Sequence, residues 1–282
     1  MESFFDGFTL DRVAGLRVRW GGDGPAVLLL HGHPRTHTTW WRVAPLLVRG
    51  GWRVICPDLP GYGESRACDG SKRAMARSLS SLMRSLGVAR YAVVGHDRGC
   101  YAAHRLAVDR VDEVSALAVL DGVPIVEAFS RCDARFAASW WHWFFFAQTS
   151  KPAEDWIARD PLAWYRGDPD SMGAENYADW RRAVSNVDVV RAMVADYRAG
   201  WEVDRFDEAA DRAAGRLVRC PTLFAWSARD DMEELYGDPL AVWRPWISAP
   251  LSGARIDSGH HMAEEAPEEL AAELARFLSG RR

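Results

Sequence analysis

The chain has 282 residues, 48% of them hydrophobic and 26% charged, which suits one large globular domain or a domain with a sizeable insertion. The net charge of −4 and the pI near 6.1 provide no basic field that would attract nucleic acid. A small-molecule partner is therefore expected.

Strand and helix patterns alternate along the first part of the chain. They are the β-like runs “FTLDRV” and “LRVRWGG”, a buried strand at 26–32, a strand through 54–56, a helix at 71–86, the strand “YAVVGHD”, a helix at 99–108 and a strand at 114–121. An aromatic-rich helical stretch follows. The alternation resumes with the strand “PTLFAWS”, a helix near 239–247, the short strand “ARIDSGH” and a helix at 266–278.

This order predicts an α/β fold with a mostly parallel, doubly wound sheet. The predicted core domain comprises residues 1–123 and 217–282, and residues 124–216 form a helical cap inserted into it. The reactive groups of such a fold are expected at the carboxyl ends of the strands.

The cysteine content and the N-terminal segment bear on location. The five cysteines are scattered without a C-x-x-C pair, which argues against a metal or redox site and fits a reducing cytosol. The N-terminal segment lacks the basic flank and apolar run of a signal peptide, and no apolar stretch approaches the roughly 20 residues that cross a bilayer. A cytoplasmic protein without membrane contact is predicted.

A carboxylate stands where many hydrolytic enzymes carry a serine nucleophile. Asp97 follows a strand and precedes a helix, between Gly95 and Gly99 in “GHDRG”. The flanking glycines suit a sharp strand–turn–helix that presents a nucleophile, whereas a lone aspartate at this point is more often a helix cap. An ionised aspartate can attack an electrophilic carbon that bears a leaving group, and water must then cleave the ester formed. The pattern indicates hydrolysis of halocarbons or epoxides.

Two other segments are predicted to supply the base and the oxyanion donors. His260, in “DSGHHMAEE”, follows a short strand and a small-residue turn, where the general base is expected; His261 is predicted to pack or face solvent. In “LLLHGHPRTHTTW”, the strand end places the N–H of His33 beside Asp97. That N–H and the N–H of Arg98 are the predicted oxyanion hole.

Two acids are candidates for orienting the histidine. Asp121 ends the strand after the nucleophile helix, and Asp230 follows the strand “LFAWS”. Both lie at carboxyl ends of strands, so the residues alone leave the choice open. Asp231 is predicted to be exposed.

These segments resemble the haloacetate dehalogenases of the α/β-hydrolase superfamily, particularly the fluoroacetate dehalogenases. The resemblance covers nearly the whole chain, in “HGHPRTHTTWWRVAP”, “PDLPGYGES”, “KRAMA”, “GHDRG”, “LAVLD”, “HWFFFAQ”, “ADYRAG”, “VWRPW” and “SGHHMAEEAPEE”. It implies the α/β-hydrolase fold with a helical cap, no metal or organic cofactor, and a homodimer.

The resemblance also implies roles for individual residues. Asp97 is the nucleophile, His260 the base and Asp121 the acid. Arg98 binds the substrate carboxylate, and the cap side chains that surround the departing halide are His142, Trp143 and Tyr197. Imidazole, indole and phenol donors can each meet a developing halide charge.

Two positions depart from the family pattern. Tyr101 stands where a second arginine is expected, one helical turn after Arg98, so it can offer the carboxylate only a neutral hydrogen bond. We expect weaker binding of small haloacids, or a larger or less charged substrate. His33 replaces an apolar aromatic residue of the pocket wall and adds a polar group there.

The sequence therefore predicts a hydrolytic dehalogenase acting on short 2-haloacids through an aspartyl ester. An epoxide hydrolase is the nearest alternative, with Tyr197 and either Tyr165 or Tyr177 as the acids that protonate the opening ring. A third hypothesis is a non-catalytic protein that binds a small ligand in the cap. The complete set of Asp97, His260 and Asp121 argues against it.

Overall fold

The computed structural model contains one eight-stranded sheet within residues 4–279, the residues that it describes. Residues 1–3 and 280–282 of the predicted core domain lie outside the described range. The strand order is β1-β2-β4-β3-β5-β6-β7-β8. The strands are β1 (Thr9–Val13), β2 (Leu16–Gly21), β3 (Ala26–Leu30), β4 (Arg53–Pro57), β5 (Tyr91–His96), β6 (Val114–Leu120), β7 (Thr222–Ser227) and β8 (Leu251–Ile256).

The sheet is antiparallel at one edge and parallel elsewhere. β2 pairs antiparallel with β1 and with β4, and every later neighbour pair from β4 to β8 is parallel. Strand order reverses between β3 and β5, and such a reversal opens a crevice beyond the strand ends. Asp97 follows β5 and His33 lies three residues after β3, so both lie at this crevice.

Helices cover both faces of the sheet. Their bounds are α1 (Val43–Arg49), α2 (Lys72–Ser85), α3 (Arg98–Asp109), α4 (Ile125–Ser130), α5 (Ala134–Ser139), α6 (Trp141–Phe146), α7 (Ala153–Ile157), α8 (Pro161–Tyr165), α9 (Pro169–Met172), α10 (Ala174–Val184), α11 (Val187–Ala199), α12 (Arg205–Ala213), α13 (Met232–Tyr236), α14 (Pro239–Trp243), α15 (Met262–Glu265) and α16 (Pro267–Ser279). A π-helical turn, Gly200–Asp204, joins α11 to α12.

Alternation along the central strands builds two hydrophobic layers. In β3, Leu28 and Leu30 belong to the layer that includes α2, α3 and the cap, whereas Val27 and Leu29 belong to the layer that includes α1 and α16. Successive strand residues point to opposite faces, so a fully apolar run is buried on both sides. Burial of one such leucine stabilises the fold by about 2 kcal/mol.

Between β6 and β7 the chain forms only helices, α4 to α12, within the segment predicted as the cap. These helices extend over the carboxyl ends of the strands, where their aromatic side chains face the crevice. No helix within residues 4–279 combines the length and apolar character needed to span a membrane.

Candidate active site

Asp97 occupies a sharp turn between β5 and α3. Its φ of 48° and ψ of −118° are unusual for a residue with a side chain. A Cβ on Gly95 would lie 2.2 Å from the carbonyl oxygen of Gly99, and a Cβ on Gly99 would lie 2.4 Å from that of His31. Only glycine fits at both flanking positions, so the local sequence forces the aspartate to the apex of the turn.

The two carboxylate oxygens of Asp97 have different surroundings. Oδ1 accepts a hydrogen bond from the backbone N–H of His33 at 2.6 Å, whereas Oδ2 lies 3.8 Å from Nε2 of His260. Burial opposes ionisation of Asp97, but the adjacent His260, with His96 and Arg98, keeps its pKa well below the usual value. The carboxylate is therefore ionised, with one oxygen held and the other free to react.

His260 lies between the nucleophile and two other acids. Its Nδ1 is 2.7 Å from Oδ2 of Asp121 and 3.2 Å from Oδ2 of Asp230. Since ionised carboxylates only accept, Nδ1 must carry the proton, which leaves Nε2 directed toward Asp97. Desolvation lowers the pKa of His260, but contacts with Asp121, Asp230 and Asp97 outweigh it and raise the pKa well above its usual value.

The two acids differ in how firmly they are held. Asp121 is buried and also accepts hydrogen bonds from the backbone N–H and hydroxyl of Ser227, both at 3.0 Å. The side chain of Asp230 is 33% exposed. Asp121 is thus the buried, doubly held partner of His260, and Asp230 is a second, more exposed one.

Two cavities meet at Asp97, and His142 and His260 border both. We call the first the acidic chamber; its volume is about 220 Å³, and its further lining includes Tyr101, Asp121, Trp140, Trp143, Asp230 and Asp231. The second, the aromatic chamber, has a volume of about 290 Å³ and is also lined by His33, Trp141, Phe146, Trp164, Tyr165, Tyr197 and His261. No lysine or arginine within the described residues lines either chamber.

Three predicted halide donors lie together at the chambers. The rings of His142 and Trp143 are centred 5.7 and 5.9 Å from that of Tyr197, and within residues 4–279 none of the three side chains has a hydrogen-bond acceptor. Burial lowers the pKa of His142 to about 4 and raises the pKa of Tyr197 well above its usual value. All three are therefore neutral donors at neutral pH.

Arg98, predicted to bind the substrate carboxylate, is paired within the protein. Its guanidinium is fully buried and binds Asp196, with Nη2 and Nε at 2.5 and 3.1 Å from Oδ1. The rings of Tyr197, Tyr101 and Trp143 cover it, 4.1 to 5.3 Å from the guanidinium carbon. The cation is thus paired with a buried carboxylate, while its Nη1 has no hydrogen-bond partner within the described residues. The predicted contact of Arg98 with a substrate carboxylate stays a prediction. Tyr101 itself lines the acidic chamber.

The remaining candidate residues differ in whether they border a chamber. Tyr165 borders the aromatic chamber and its hydroxyl has no hydrogen-bond partner in the described chain, whereas Tyr177 packs on Trp180 and borders neither chamber. The His33 ring also borders that chamber, and burial lowers its pKa to about 3. His261, predicted to pack or face solvent, lines its edge.

One group of side chains has the spacing of metal ligands. Atoms of His96, Asp121 and His260 lie within 4.8 Å of one another. His96 Nε2 already contacts the His260 carbonyl oxygen at 2.7 Å, and Asp121 already accepts from His260. The spacing of these three residues therefore reflects hydrogen bonds within the protein.

Three residues of the site were missed by sequence reasoning. Asp196 pairs with Arg98 and also with Lys72, Ser227 fixes Asp121, and Trp140 donates its indole N–H to Asp231 at 2.9 Å. Each contact joins segments 91 to 124 residues apart, so no periodicity signals it. Asp231, predicted to be exposed, is partly buried instead.

Comparisons with known proteins identify the family of this chain. The family model for the alpha/beta hydrolase fold matches residues 25–267. A fluoroacetate dehalogenase from a Burkholderia species is 37% identical over 93% of this chain and 90% of its own length. This chain belongs to the haloacetate dehalogenase family of the α/β hydrolases.

Epoxide hydrolases are also similar to this hydrolase. One from Caballeronia sordidicola is 28% identical over 93% of the chain and 90% of its own length. A solved structure from Pseudomonas aeruginosa, assigned provisionally as an epoxide hydrolase, has a TM-score of 0.91 and 36% identity, covering 100% of this chain and 99% of that one. The α/β-hydrolase fold is therefore established, whereas the substrate has to be argued from the site.

Proposed function

We propose that this hydrolase cleaves the carbon–halogen bond of short 2-haloacids, such as haloacetates, through an ester of Asp97. One observation carries the proposal: the free oxygen of an ionised Asp97 opens onto cavities bordered by the unpaired donors of His142, Trp143 and Tyr197. A nucleophile at one end of a carbon–halogen bond and hydrogen-bond donors at the other are what the displacement requires.

In the first step, Oδ2 of Asp97 attacks the carbon that bears the halogen. The carbon–oxygen bond forms as the carbon–halogen bond breaks, and the bonding pair leaves with the halide toward the three donors. Fluoride is a poor leaving group, so these donors matter most for fluoroacetate. Oδ1 remains on the N–H of His33, 2.6 Å away, throughout.

In the second step, water attacks Cγ of Asp97 and gives its proton to Nε2 of His260. The negative charge then develops on Oδ1, where the N–H of His33, together with that of Arg98, stabilises it. The tetrahedral intermediate collapses by breaking the bond from Cγ to Oδ2, and this oxygen takes the proton from His260 and leaves as the hydroxyl of the product. Asp97 keeps the oxygen of the water and releases the second proton of that water as it ionises. Asp121 holds the imidazolium that forms.

Oxygen labelling tests this route. A single turnover in heavy-oxygen water should place the label in Asp97 and leave the first product unlabelled. Label in that product, with none in the enzyme, would mean that water attacks the substrate directly.

Epoxide hydrolysis is the second candidate, and the placement of Tyr165 favours it. Tyr165 and Tyr197 border the same chamber as Asp97, which is where two phenols would protonate an opening epoxide. Halide release from fluoroacetate and chloroacetate should be measured beside diol formation from styrene oxide. Diol without halide would replace the first proposal with the second.

A further inference from the structure

The halide donors and the acids that surround His260 come from different parts of the chain. His142 and Trp143 lie on α6, whereas Asp230 and Asp231 lie in the loop after β7. How far the donors stand from Asp97 therefore depends on what docks α6 onto that loop.

One polar contact makes this connection. The indole N–H of Trp140, the residue before α6, donates to Oδ2 of Asp231 at 2.9 Å. Among the described residues, it is the one hydrogen bond that joins residues 131–148 to the predicted core domain. Other contacts of α6 to the core are made by its aromatic rings, such as those of Trp143 with the Tyr101 ring and the Arg98 guanidinium.

The hydrogen bond between Trp140 and Asp231 links a predicted halide donor to the surroundings of the predicted base. The Trp140 ring stacks on Trp143, with centroids 5.3 Å apart and planes 28° from parallel. On the other side, Asp230 precedes Asp231 in the chain and lies 3.2 Å from Nδ1 of His260. Adjacent residues of one loop thus touch the base and, through Trp140, a halide donor.

We infer that Asp231 is a positioning residue: by accepting the Trp140 N–H it fixes α6 so that the donors of His142 and Trp143 face the leaving halide. This inference rests on the proposed dehalogenase function. Asp231 acts through Trp140, and the loss of their hydrogen bond should lower leaving-group stabilisation more than substrate binding.

The test measures single-turnover halide release from fluoroacetate and bromoacetate. Trp140→Phe keeps an aromatic ring but removes the N–H donor, and Asp231→Ala removes the acceptor. In either variant the fluoroacetate rate should fall about tenfold, which corresponds to the loss of one hydrogen bond to a charged group. The bromoacetate rate should fall less than about threefold, because bromide needs less stabilisation. Asp231→Asn keeps an acceptor and should stay near wild type.

Two controls separate positioning from a general loss of structure. Glu234→Ala removes an exposed carboxylate of α13, three residues after Asp231, and should leave both rates unchanged. The double variant of Asp231→Ala and Trp140→Phe should be no slower than either single variant, because both remove one interaction. Equal losses with the two halides, additive losses in the double variant, or no rescue by asparagine would overturn the inference.

Hydrogen exchange keeps the inference separable from the proposed function. Amides of residues 140–147 should exchange faster in Asp231→Ala than in wild type, and unchanged exchange would overturn the docking role. If wild type releases no halide from either substrate, the proposed dehalogenase function fails whatever the exchange data show.

Discussion

Replacing Tyr101 by arginine tests how this pocket recognises an anionic substrate. Tyr101 lines the acidic chamber, whereas the cation beside it, Arg98, is covered by rings and paired with Asp196 at 2.5 Å. An arginine at position 101 would project its guanidinium into a chamber whose charged groups are otherwise mainly carboxylates. Tyr101→Arg should therefore strengthen haloacid binding.

The magnitude follows from two opposing effects. A hydrogen bond to a charged group stabilises by about 1.5–3 kcal/mol, which corresponds to about tenfold to a hundredfold in affinity. Repulsion from Arg98, whose guanidinium carbon is 4.9 Å from the present Tyr101 ring, and the cost of burying the new cation reduce that gain. We expect KM for chloroacetate to fall about tenfold.

The assay compares chloroacetate with the uncharged chloroacetamide. The arginine variant should improve only chloroacetate; Tyr101→Lys should improve it less, because a point charge lacks the bidentate fork, and Tyr101→Phe should not improve it. If KM for chloroacetate stays unchanged while the melting temperature and chloroacetamide turnover are retained, Tyr101 does not face the substrate carboxylate and the reasoning is refuted.

Three further predictions concern the nucleophile and its base. His260→Ala should still form the ester but not hydrolyse it, so mass spectrometry of the peptide containing Asp97 should show the trapped adduct; an unmodified peptide would contradict the base assignment. Asp230 helps to raise the pKa of His260, and the base must be neutral. Asp230→Asn should therefore shift the acidic limb of the pH–rate profile for ester hydrolysis to lower pH, and an unmoved limb would remove Asp230 from the site. A Cβ on Gly32 would lie 2.4 Å from Oδ1 of Asp97, so Gly32→Ala should displace the carboxylate and slow ester formation about a hundredfold without unfolding the protein; an unchanged rate would contradict the placement of Asp97.

The sheet could be predicted from sequence because its strands are locally encoded. The apolar run of β3 and the glycines around Asp97 each dictate their own geometry, whatever the rest of the chain does. Less regular segments were harder to predict from the sequence. Helix α1 was not predicted, and β8 begins at Leu251, three residues before the predicted strand.

The catalytic centre was partly predictable for a related reason. Strand ends meet at one edge of a parallel sheet, so Asp97, His260 and the two candidate acids could be placed together from the strand pattern. The choice of Asp121 over Asp230 came from the family resemblance. The surroundings of Arg98 could not, because its partner Asp196 comes from the distant helix α11. A buried ion pair between remote elements leaves no pattern in either segment.

The origin of the reacting groups has a consequence for how such an enzyme can be altered. The proposed nucleophile and base follow the ends of strands, whereas the side chains proposed to meet the leaving group belong to helices between β6 and β7. Nucleophilic attack and leaving-group specificity therefore depend on residues from separate segments of the chain. A library confined to α6, α8 and α11 should change the accepted leaving group while leaving the nucleophile intact.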